Sequence, residues 1–250
     1  MKVVVIGGTG LIGSKLVRKL GEHGHEAVAA SPDTGVNALT GQGLAEVMEG
    51  AGVVIDVSNS PSFAPADVMN FFTTSTGNLL EAEKRAGVGH HVALSVVGTE
   101  KMPENAYFAA KIAQERLIQD SGIPFSLVHA TQFFEFARRI ADEAAVDGQV
   151  RIAPVAFQPM AGEEVAQAVG RTAAGSPLNG RLEVGGPIEY RMDEFFRKAL
   201  AAWGDPREVV TDPQARYFGS VPGDRTLVPG EGAQLAKITY REWLDSGAGK

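Results

Sequence analysis

The chain has 250 residues, a formal net charge of -7 and no cysteine. The negative charge does not favour binding to nucleic acid or to an anionic membrane. The lack of cysteine excludes disulfides and thiolate catalysis. A first core strand starting at residue 2 or 3 leaves no room for a signal peptide, and no apolar run is long enough to span a membrane. We therefore expect a cytoplasmic protein with a large core.

The first thirteen residues organise the rest of the chain. Val3–Ile6 form an apolar run that predicts a buried strand, and glycines follow at positions 7, 10 and 13. Apolar residues then recur at helical spacing from Leu11 to Leu20. A strand, a tight glycine turn and a helix in this order are typical of a dinucleotide site, because the N–H groups at the helix start face the pyrophosphate. The alternative is an ordinary strand-to-helix turn, but this context favours the nucleotide.

Strands and helices alternate through the first half of the chain. Further strands are predicted at residues 26–30, 36–37, 53–57, 91–94 and 125–129, and helices at 44–48, from a cap at Asp67 to about 85, and at 106–119. This alternation predicts an α/β fold with a parallel, doubly wound sheet.

The pattern changes after residue 130. It predicts a helix from 132 to about 145, strands at 150–152 and 182–184, and helices at 163–173, 192–203 and 240–244. Residues 204–232 are rich in Gly, Pro and Asp and are interpreted as a surface loop that could pack as a lid. We predict a single domain over residues 1–250, in which about 131–250 contribute a smaller substrate-binding portion.

Three polar residues are predicted to meet beyond the sheet. Tyr107 and Lys111 are four residues apart, so they share one face of the predicted helix. Ser95 ends the predicted strand before that helix, and ligands of open α/β sheets lie beyond the carboxyl ends of the strands. A nearby ammonium is expected to lower the pKa of a phenol from about 10, which makes Tyr an acid or base near neutrality. The alternative is a surface Tyr and Lys beside a strand-end Ser.

The glycine turn, Ser95 and the Tyr107-x-x-x-Lys111 pair, in this order, resemble the short-chain dehydrogenase/reductase superfamily. The Gly-x-x-Gly-x-x-Gly spacing, together with His129–Phe134, resembles its atypical NmrA-like branch. The resemblance covers about residues 1–140 well and the remainder only in outline. It implies a Rossmann fold that binds NAD(P)(H), with Tyr107 as the proton donor, Lys111 on the nicotinamide ribose and Ser95 on the substrate oxygen.

The cofactor is expected to contact the turn and the strand ends. The predicted cofactor-binding residues are Gly7, Thr9, Gly10, Leu11, Ile12, Gly13, Ser31, Asn37, Ser58, Asn59, Ser95, Lys111 and Ala130. Residues 20–83 contain no Lys or Arg, so a 2′-phosphate would find no local cation there. Lys15 and Arg18 are expected to point along the first helix. We therefore favour NAD over NADP.

The substrate is expected to lie near the ends of two strands. The predicted substrate-binding residues are Val97, Tyr107, Gln132, Phe133 and Phe134. The phenylalanines could stack on a flat ring, or they could simply be core residues of the next helix. The five histidines lack metal-ligand spacing, so no metal is predicted.

These residues favour an NAD(P)-dependent oxidoreductase acting on a carbonyl or quinone group of a small aromatic molecule. A natural-product tailoring oxidoreductase or oxygenase is a variant of this hypothesis. The alternatives are a redox sensor that binds the dinucleotide without turnover, and a sugar-nucleotide epimerase, which the short C-terminal part disfavours. No nucleic acid or membrane partner is expected, and the protein is expected to be a monomer or a homodimer.

Overall fold

A computed structural model describes residues 1–248; residues 249 and 250, the last two of the predicted substrate-binding portion, lie outside it. The strands are β1 (Lys2–Ile6), β2 (Glu26–Ala30), β3 (Ala51–Asp56), β4 (His90–Val96), β5 (Phe125–Ala130), β6 (Ala145–Val146), β7 (Gln149–Ile152), β8 (Ala156–Phe157), β9 (Gly180–Gly185), β10 (Tyr190–Arg191), β11 (Glu208–Thr211) and β12 (Gln234–Leu235). The helices are α1 (Leu11–Glu22), α2 (Leu44–Met48), α3 (Pro65–Ala86), α4 (Ala106–Gln119), α5 (Ala137–Glu143), α6 (Gly162–Ala174), α7 (Met192–Trp203) and α8 (Tyr240–Asp245).

A seven-stranded sheet has the order β12-β9-β5-β4-β3-β1-β2. β1 pairs in parallel with β2 and β3, and β3 pairs in parallel with β4. The register places Ile6 opposite Ala30 on one side and Asp56 on the other, so three strands end level with one another. Val3, Val4 and Val5 are fully buried because helices cover both faces. The predicted parallel α/β fold of the Rossmann type is confirmed.

The chain divides into two compact units. The first unit comprises residues 1–96, 106–129 and 163–182 and contains the glycine turn. In this unit α3 begins at Pro65, with Ala64 at the cap position. The prediction that Asp67 caps this helix is therefore wrong. Pro65 starts it, because its fixed φ suits a first turn and its missing N–H needs no partner there.

The second unit comprises residues 97–105, 130–162 and the chain from Glu183 onward. It contains β11, which lies inside the segment 204–232 that the sequence analysis treats as a loop; β11 pairs in parallel with β7. The predicted helix from residue 132 is a 3₁₀ turn at Phe134–Phe136 followed by the short α5. In the first unit, the predicted strand at 36–37 is only an isolated bridge between Asn37 and Gln42.

Within residues 1–248, every helix is too short or too polar to cross a lipid bilayer.

Candidate functional site

The glycine turn leaves β1 and enters α1 through very close backbone contacts. Gly7 has a φ of +76°, which favours glycine. A Cβ atom on Gly13 would lie 2.1 Å from the carbonyl oxygen of Gly7. A Cβ atom on Gly8 would lie 2.6 Å from Cα of Ala29 on β2. Gly8 is not part of the Gly-x-x-Gly-x-x-Gly pattern, yet it is needed to pack the turn on the sheet.

The amino end of α1 is open towards solvent. Thr9, Gly10 and Leu11 are exposed, whereas Ile12 and Gly13 are buried against the sheet. Gly10 occupies the cap position, and among the described residues no side chain caps this helix. Its first N–H groups therefore point outward with a positive helix end behind them. This arrangement fits the pyrophosphate of a dinucleotide.

The end of β2 fixes the turn from the side. The backbone N–H of Thr9 donates to Oγ of Ser31 at 3.2 Å, and Ser31 is buried. Asp33 follows on an exposed 3₁₀ turn. Asn37 lies farther along, where its Oδ1 accepts from the N–H groups of Leu39 and Thr40. In this structure Asn37 therefore shapes its own loop.

The cations of α1 are held by one carboxylate of the first unit. Glu163 on α6 contacts Arg18 at 2.7 Å, Lys19 at 2.6 Å and Lys15 at 3.9 Å. The hydrogen bonds that Arg18 makes with Glu22 and Glu163 raise its pKa. These contacts hold the three cations along α1, as the sequence analysis expects for Lys15 and Arg18.

The end of β3 carries a buried carboxylate beside the glycine turn. Asp56 is 2 % exposed, and its Oδ1 accepts from both N–H (2.9 Å) and Oγ–H (2.6 Å) of Ser58. The backbone of Ser58 would lie 2.9 Å from a Cβ on Gly7, so the two segments pack directly. Asn59 follows and is exposed. Two of the predicted cofactor-binding residues, Ser58 and Asn59, thus lie next to the turn.

Tyr107 reaches this edge of the sheet from the first turn of α4. Its Oη–H donates to Oδ1 of Asn59 at 3.2 Å. The Phe63 ring stacks on it with a centroid separation of 5.8 Å, and Phe72 meets it edge-on at 5.7 Å. Burial, and then the negative charge of Asp56, raise the pKa of Tyr107. The expected lowering of its pKa by a nearby ammonium is therefore wrong, because desolvation disfavours the phenolate.

Lys111 lies one helical turn farther along α4 and is 2 % exposed. Its Nζ donates to the carbonyl oxygen of Leu94 at 2.9 Å and to Oε1 of Gln114. It also lies 4.4 Å from the centroid of the Phe72 ring. Burial lowers the pKa of Lys111 to about 8, against the opposing attraction of Asp56 and Glu115. The ammonium is therefore directed into the protein between β4 and α4.

Ser95 has a different partner from the one expected. It is 3 % exposed, and its Oγ–H donates to Oε1 of Glu115 on α4. Nε2 of His129 lies 3.2 Å from the same oxygen. Burial alone would raise the pKa of Glu115, but the contact with His129 and the hydrogen bond from Ser95 lower it. The carboxylate lies between Ser and His here, so this is not the order of a nucleophilic triad, where His contacts Ser.

The remaining predicted residues lie in the second unit. The N–H of Val97 donates to the carbonyl oxygen of Ala130 at 3.0 Å, and both residues are buried. Gln132 is 6 % exposed, and both polar atoms of its amide have no hydrogen-bond partner in the described part of the chain. Phe134 packs in the core against Tyr240 and Trp243, whereas Phe133 stacks on the exposed Phe136.

Three residues of the candidate site are not among those predicted from the sequence. Asp56 ends the apolar run of β3 at the carboxyl edge, which is a readable signal for a site carboxylate. Gln114 and Glu115 follow Lys111 at positions i+3 and i+4, where side chains share its helix face. Only the packing of α4 on the sheet reveals what they contact. Among residues 1–248, no group of three or more His, Asp or Glu side chains could hold a metal ion.

Comparison with known proteins supports the dinucleotide interpretation. Residues 3–127 match the model of the "NAD dependent epimerase/dehydratase family". The photosystem II assembly factor Ycf39 of Cyanophora paradoxa is 24% identical over 149 residues, which cover 54% of this chain and 46% of that protein. The isoflavone reductase homolog A622 of Nicotiana tabacum is 29% identical over 154 residues, covering 54% and 49%. The match therefore spans about half the length of these curated relatives.

A solved structure, MoeE5 in complex with UDP-glucose and NAD, has the same fold. It superposes with a TM-score of 0.74 at 18% identity, covering 99% of this chain and 100% of that one. The resemblance to the short-chain dehydrogenase/reductase superfamily is confirmed, and the Ycf39 and isoflavone reductase relatives fit its NmrA-like branch. The expected NAD(P)-type cofactor is confirmed at the level of the family. On the match over residues 3–127, the chain belongs to the NAD dependent epimerase/dehydratase family.

Proposed function

We propose that this protein is an NAD(P)-dependent oxidoreductase that reduces a carbonyl or quinone group on a small aromatic molecule. The observation that carries the proposal is the hydrogen bond from Tyr107 to Asn59, which holds the phenol at the strand edge that also bears the glycine turn. The stacked Phe63 ring is 42 % exposed and gives the phenol an aromatic neighbour. A flat ring of a substrate suits such surroundings.

Proton donation is the task proposed for Tyr107. When bound, a reduced nicotinamide supplies a hydride to the carbonyl carbon. The carbonyl oxygen then needs a proton, and the Oη–H of Tyr107 gives it, which converts the carbonyl to a hydroxyl. Because burial raises the pKa of Tyr107, the phenol stays protonated at neutral pH. This protonation state suits reduction better than the reverse reaction.

Lys111 and the turn are proposed to hold the cofactor. An ammonium has three donors, and Leu94 and Gln114 accept two of those of Lys111. We assign the third to a ribose hydroxyl. The open amino end of α1 binds the pyrophosphate, with Gly7, Gly10 and Gly13 giving the close approach.

NAD is the proposed form of the cofactor. Residues 20–83 supply no cation, and the contacts of Glu163 hold Lys15, Arg18 and Lys19 along α1. A 2′-phosphate gains much of its binding energy from paired cations. Ser31 and Asp33 at the end of β2 instead offer oxygen atoms to ribose hydroxyls.

A redox sensor without turnover is the second candidate. The observation in its favour is that Ser95, the residue expected to hold the substrate oxygen, donates its hydroxyl to buried Glu115. A sensor needs no such group. Binding of the dinucleotide without turnover, together with a co-purifying protein, would favour this candidate.

A sugar-nucleotide substrate is the third candidate. The short C-terminal part of the sequence disfavours it. That reason no longer holds, since a chain covered over its whole length by this one, MoeE5, was solved with UDP-glucose and NAD. UDP-sugars therefore belong in the substrate panel.

The test is a cofactor-oxidation assay on the wild type and the Tyr107→Phe variant, with quinones, aromatic ketones and UDP-sugars as substrates. We expect turnover to fall by about 100-fold to 10,000-fold, as for the loss of a general acid. The affinity for NADH should stay the same and should exceed that for NADPH. The matched control is Tyr190→Phe, which removes a phenol from β10 in the second unit.

Three results would each overturn a part of the proposal. An unchanged rate in Tyr107→Phe would remove Tyr107 as the acid. Much tighter binding of NADPH than of NADH would refute the choice of NAD. Turnover of UDP-sugars alone would replace the aromatic substrate with the third candidate.

A further inference from the structure

A chain of buried polar side chains runs from α4 to the glycine turn. Lys111 donates to Oε1 of Gln114, and Nε2 of Gln114 donates to Oδ2 of Asp56 at 2.9 Å. The other carboxylate oxygen of Asp56 accepts from the N–H and Oγ–H of Ser58. Ser58 in turn packs against Gly7. Hydrogen bonds thus link the ammonium predicted to hold the ribose to Ser58, which packs against the segment predicted to hold the pyrophosphate.

Gln114 occupies the central place in this chain, and it is 1 % exposed. Its amide accepts from the ammonium with its oxygen and donates to the carboxylate with its nitrogen. A carboxylate at this position could accept but could not donate to Asp56 unless it were protonated, and an apolar side chain could do neither. The amide therefore separates the buried cation from the buried anion while satisfying both.

The surroundings make this link important for the charge on Lys111. Charged groups face the ammonium from three elements: Asp56 on β3, His91 on β4 and Glu115 on α4. His91 is paired with Glu83, and Glu115 contacts His129. From α3 the ammonium meets the uncharged ring of Phe72. A buried ammonium without acceptors would lose its proton readily, because burial penalises the charged form.

We propose that Gln114 is the positioning residue of this site: held by Asp56, it fixes Lys111 where the ammonium can serve the cofactor and keeps it charged. The role rests on the proposed function only for the contact of Lys111 with the ribose. Asp56 acts through Gln114, and Ser58 sets the orientation of Asp56.

The test follows the titration of Lys111 itself. The 13Cε and 15Nζ signals of Lys111, assigned with a Lys111→Arg variant, are recorded from about pH 6 to pH 11. Wild-type protein is compared with Gln114→Leu and Gln114→Glu. The control is Gln119→Leu, which removes an exposed amide from the same helix.

The two variants should move the midpoint in opposite directions. Gln114→Leu removes an acceptor of the ammonium, so the midpoint should fall by roughly one pH unit. Gln114→Glu adds a negative charge, so the midpoint should rise by a similar amount. The control should leave it unchanged. The NADH dissociation constant of Gln114→Leu should rise about tenfold, as expected for the loss of about one charge-assisted hydrogen bond.

A merely structural role would not produce opposite shifts. If both midpoints equal that of the wild type, or if both move in the same direction, Gln114 does not position Lys111 and the proposal fails. If Gln114→Leu does not fold, the Lys111 midpoint in Gln114→Glu decides: a rise supports the proposal, and no change or a fall refutes it. These outcomes are separate from the Tyr107→Phe assay, because the titration requires no turnover.

Discussion

Gln132 is the residue whose environment most needs an explanation. It follows β5 in the second unit, and both polar atoms of its buried amide have no partner among residues 1–248. An unsatisfied buried polar group costs about 1–3 kcal/mol. Gln158 in the same unit is equally buried, but its Nε2 donates to the carbonyl oxygen of Gly186 at 2.8 Å. The contrast is consistent with the prediction that Gln132 contacts the substrate, and we propose that its amide does so.

We predict that Gln132→Met leaves the free energy of unfolding unchanged or raises it by about 1 kcal/mol, because it removes an unsatisfied group. The same change should raise KM for the substrate. Gln158→Met is the matched control and should lower the free energy of unfolding by about 1–2 kcal/mol, because the buried carbonyl oxygen of Gly186 loses its side-chain donor. Urea denaturation measures both. A loss in Gln132→Met as large as that in Gln158→Met would indicate a structural partner for Gln132.

At the scale of elements, β1 and α1 are joined by a turn that local sequence specifies well. The glycine pattern predicts the turn, and an added Cβ on Gly7 or Gly13 would lie 2.9 Å or less from a backbone atom. The sequence of residues 106–119 also predicts α4, with Tyr107 and Lys111 on one face of the helix. It does not predict that Lys111 and Ser95 turn inward, because that depends on Glu115 and Gln114 meeting the sheet.

α1 offers a sharp test of this packing. Gly13→Ala should lower the free energy of unfolding by several kcal/mol and abolish NADH binding, because its Cβ would lie 2.1 Å from the oxygen of Gly7. Gly21→Ala in the same helix should instead stabilise the protein by up to about 1 kcal/mol. Its Cβ would have no atom within 4 Å among the neighbours that the structure describes. Thermal denaturation measures the change in stability, and NADH titration measures the change in binding. Equal effects of Gly13→Ala and Gly21→Ala would contradict the packing.

At the scale of the whole molecule, buried charge should make stability depend on pH. His91 and Glu83 are both fully buried in the first unit, with Nδ1 of His91 at 2.8 Å from the Glu83 carboxylate. Burial lowers the pKa of His91, but the charge and hydrogen bond of Glu83 outweigh it, so the pKa is raised above 6.5. The folded protein therefore retains a proton that the unfolded chain releases near pH 6.5.

The raised pKa of His91 determines how stability changes with pH. The stabilisation from His91 is fully present below about pH 6.5 and is lost as the pH rises through the higher pKa of the folded state. A Glu83→Gln/His91→Gln double variant removes this titration. The difference in unfolding free energy between wild type and double variant should therefore become less favourable to the wild type as pH rises above about 6.5. Urea denaturation across that range measures it, and a constant or opposite trend would refute the charged pair.

The sequence by itself determined the parallel α/β fold, the glycine turn and the placement of Tyr107 and Lys111 on one helix. These features depend on local periodicity and on backbone space within short segments. Tertiary structure alone decided that Gln114 meets Asp56, 58 residues away in sequence, and that Ser95 meets Glu115. It also decided that burial raises the pKa of Tyr107. Desolvation and long-range contacts arise only when α4 packs on the sheet, so no local pattern could fix them.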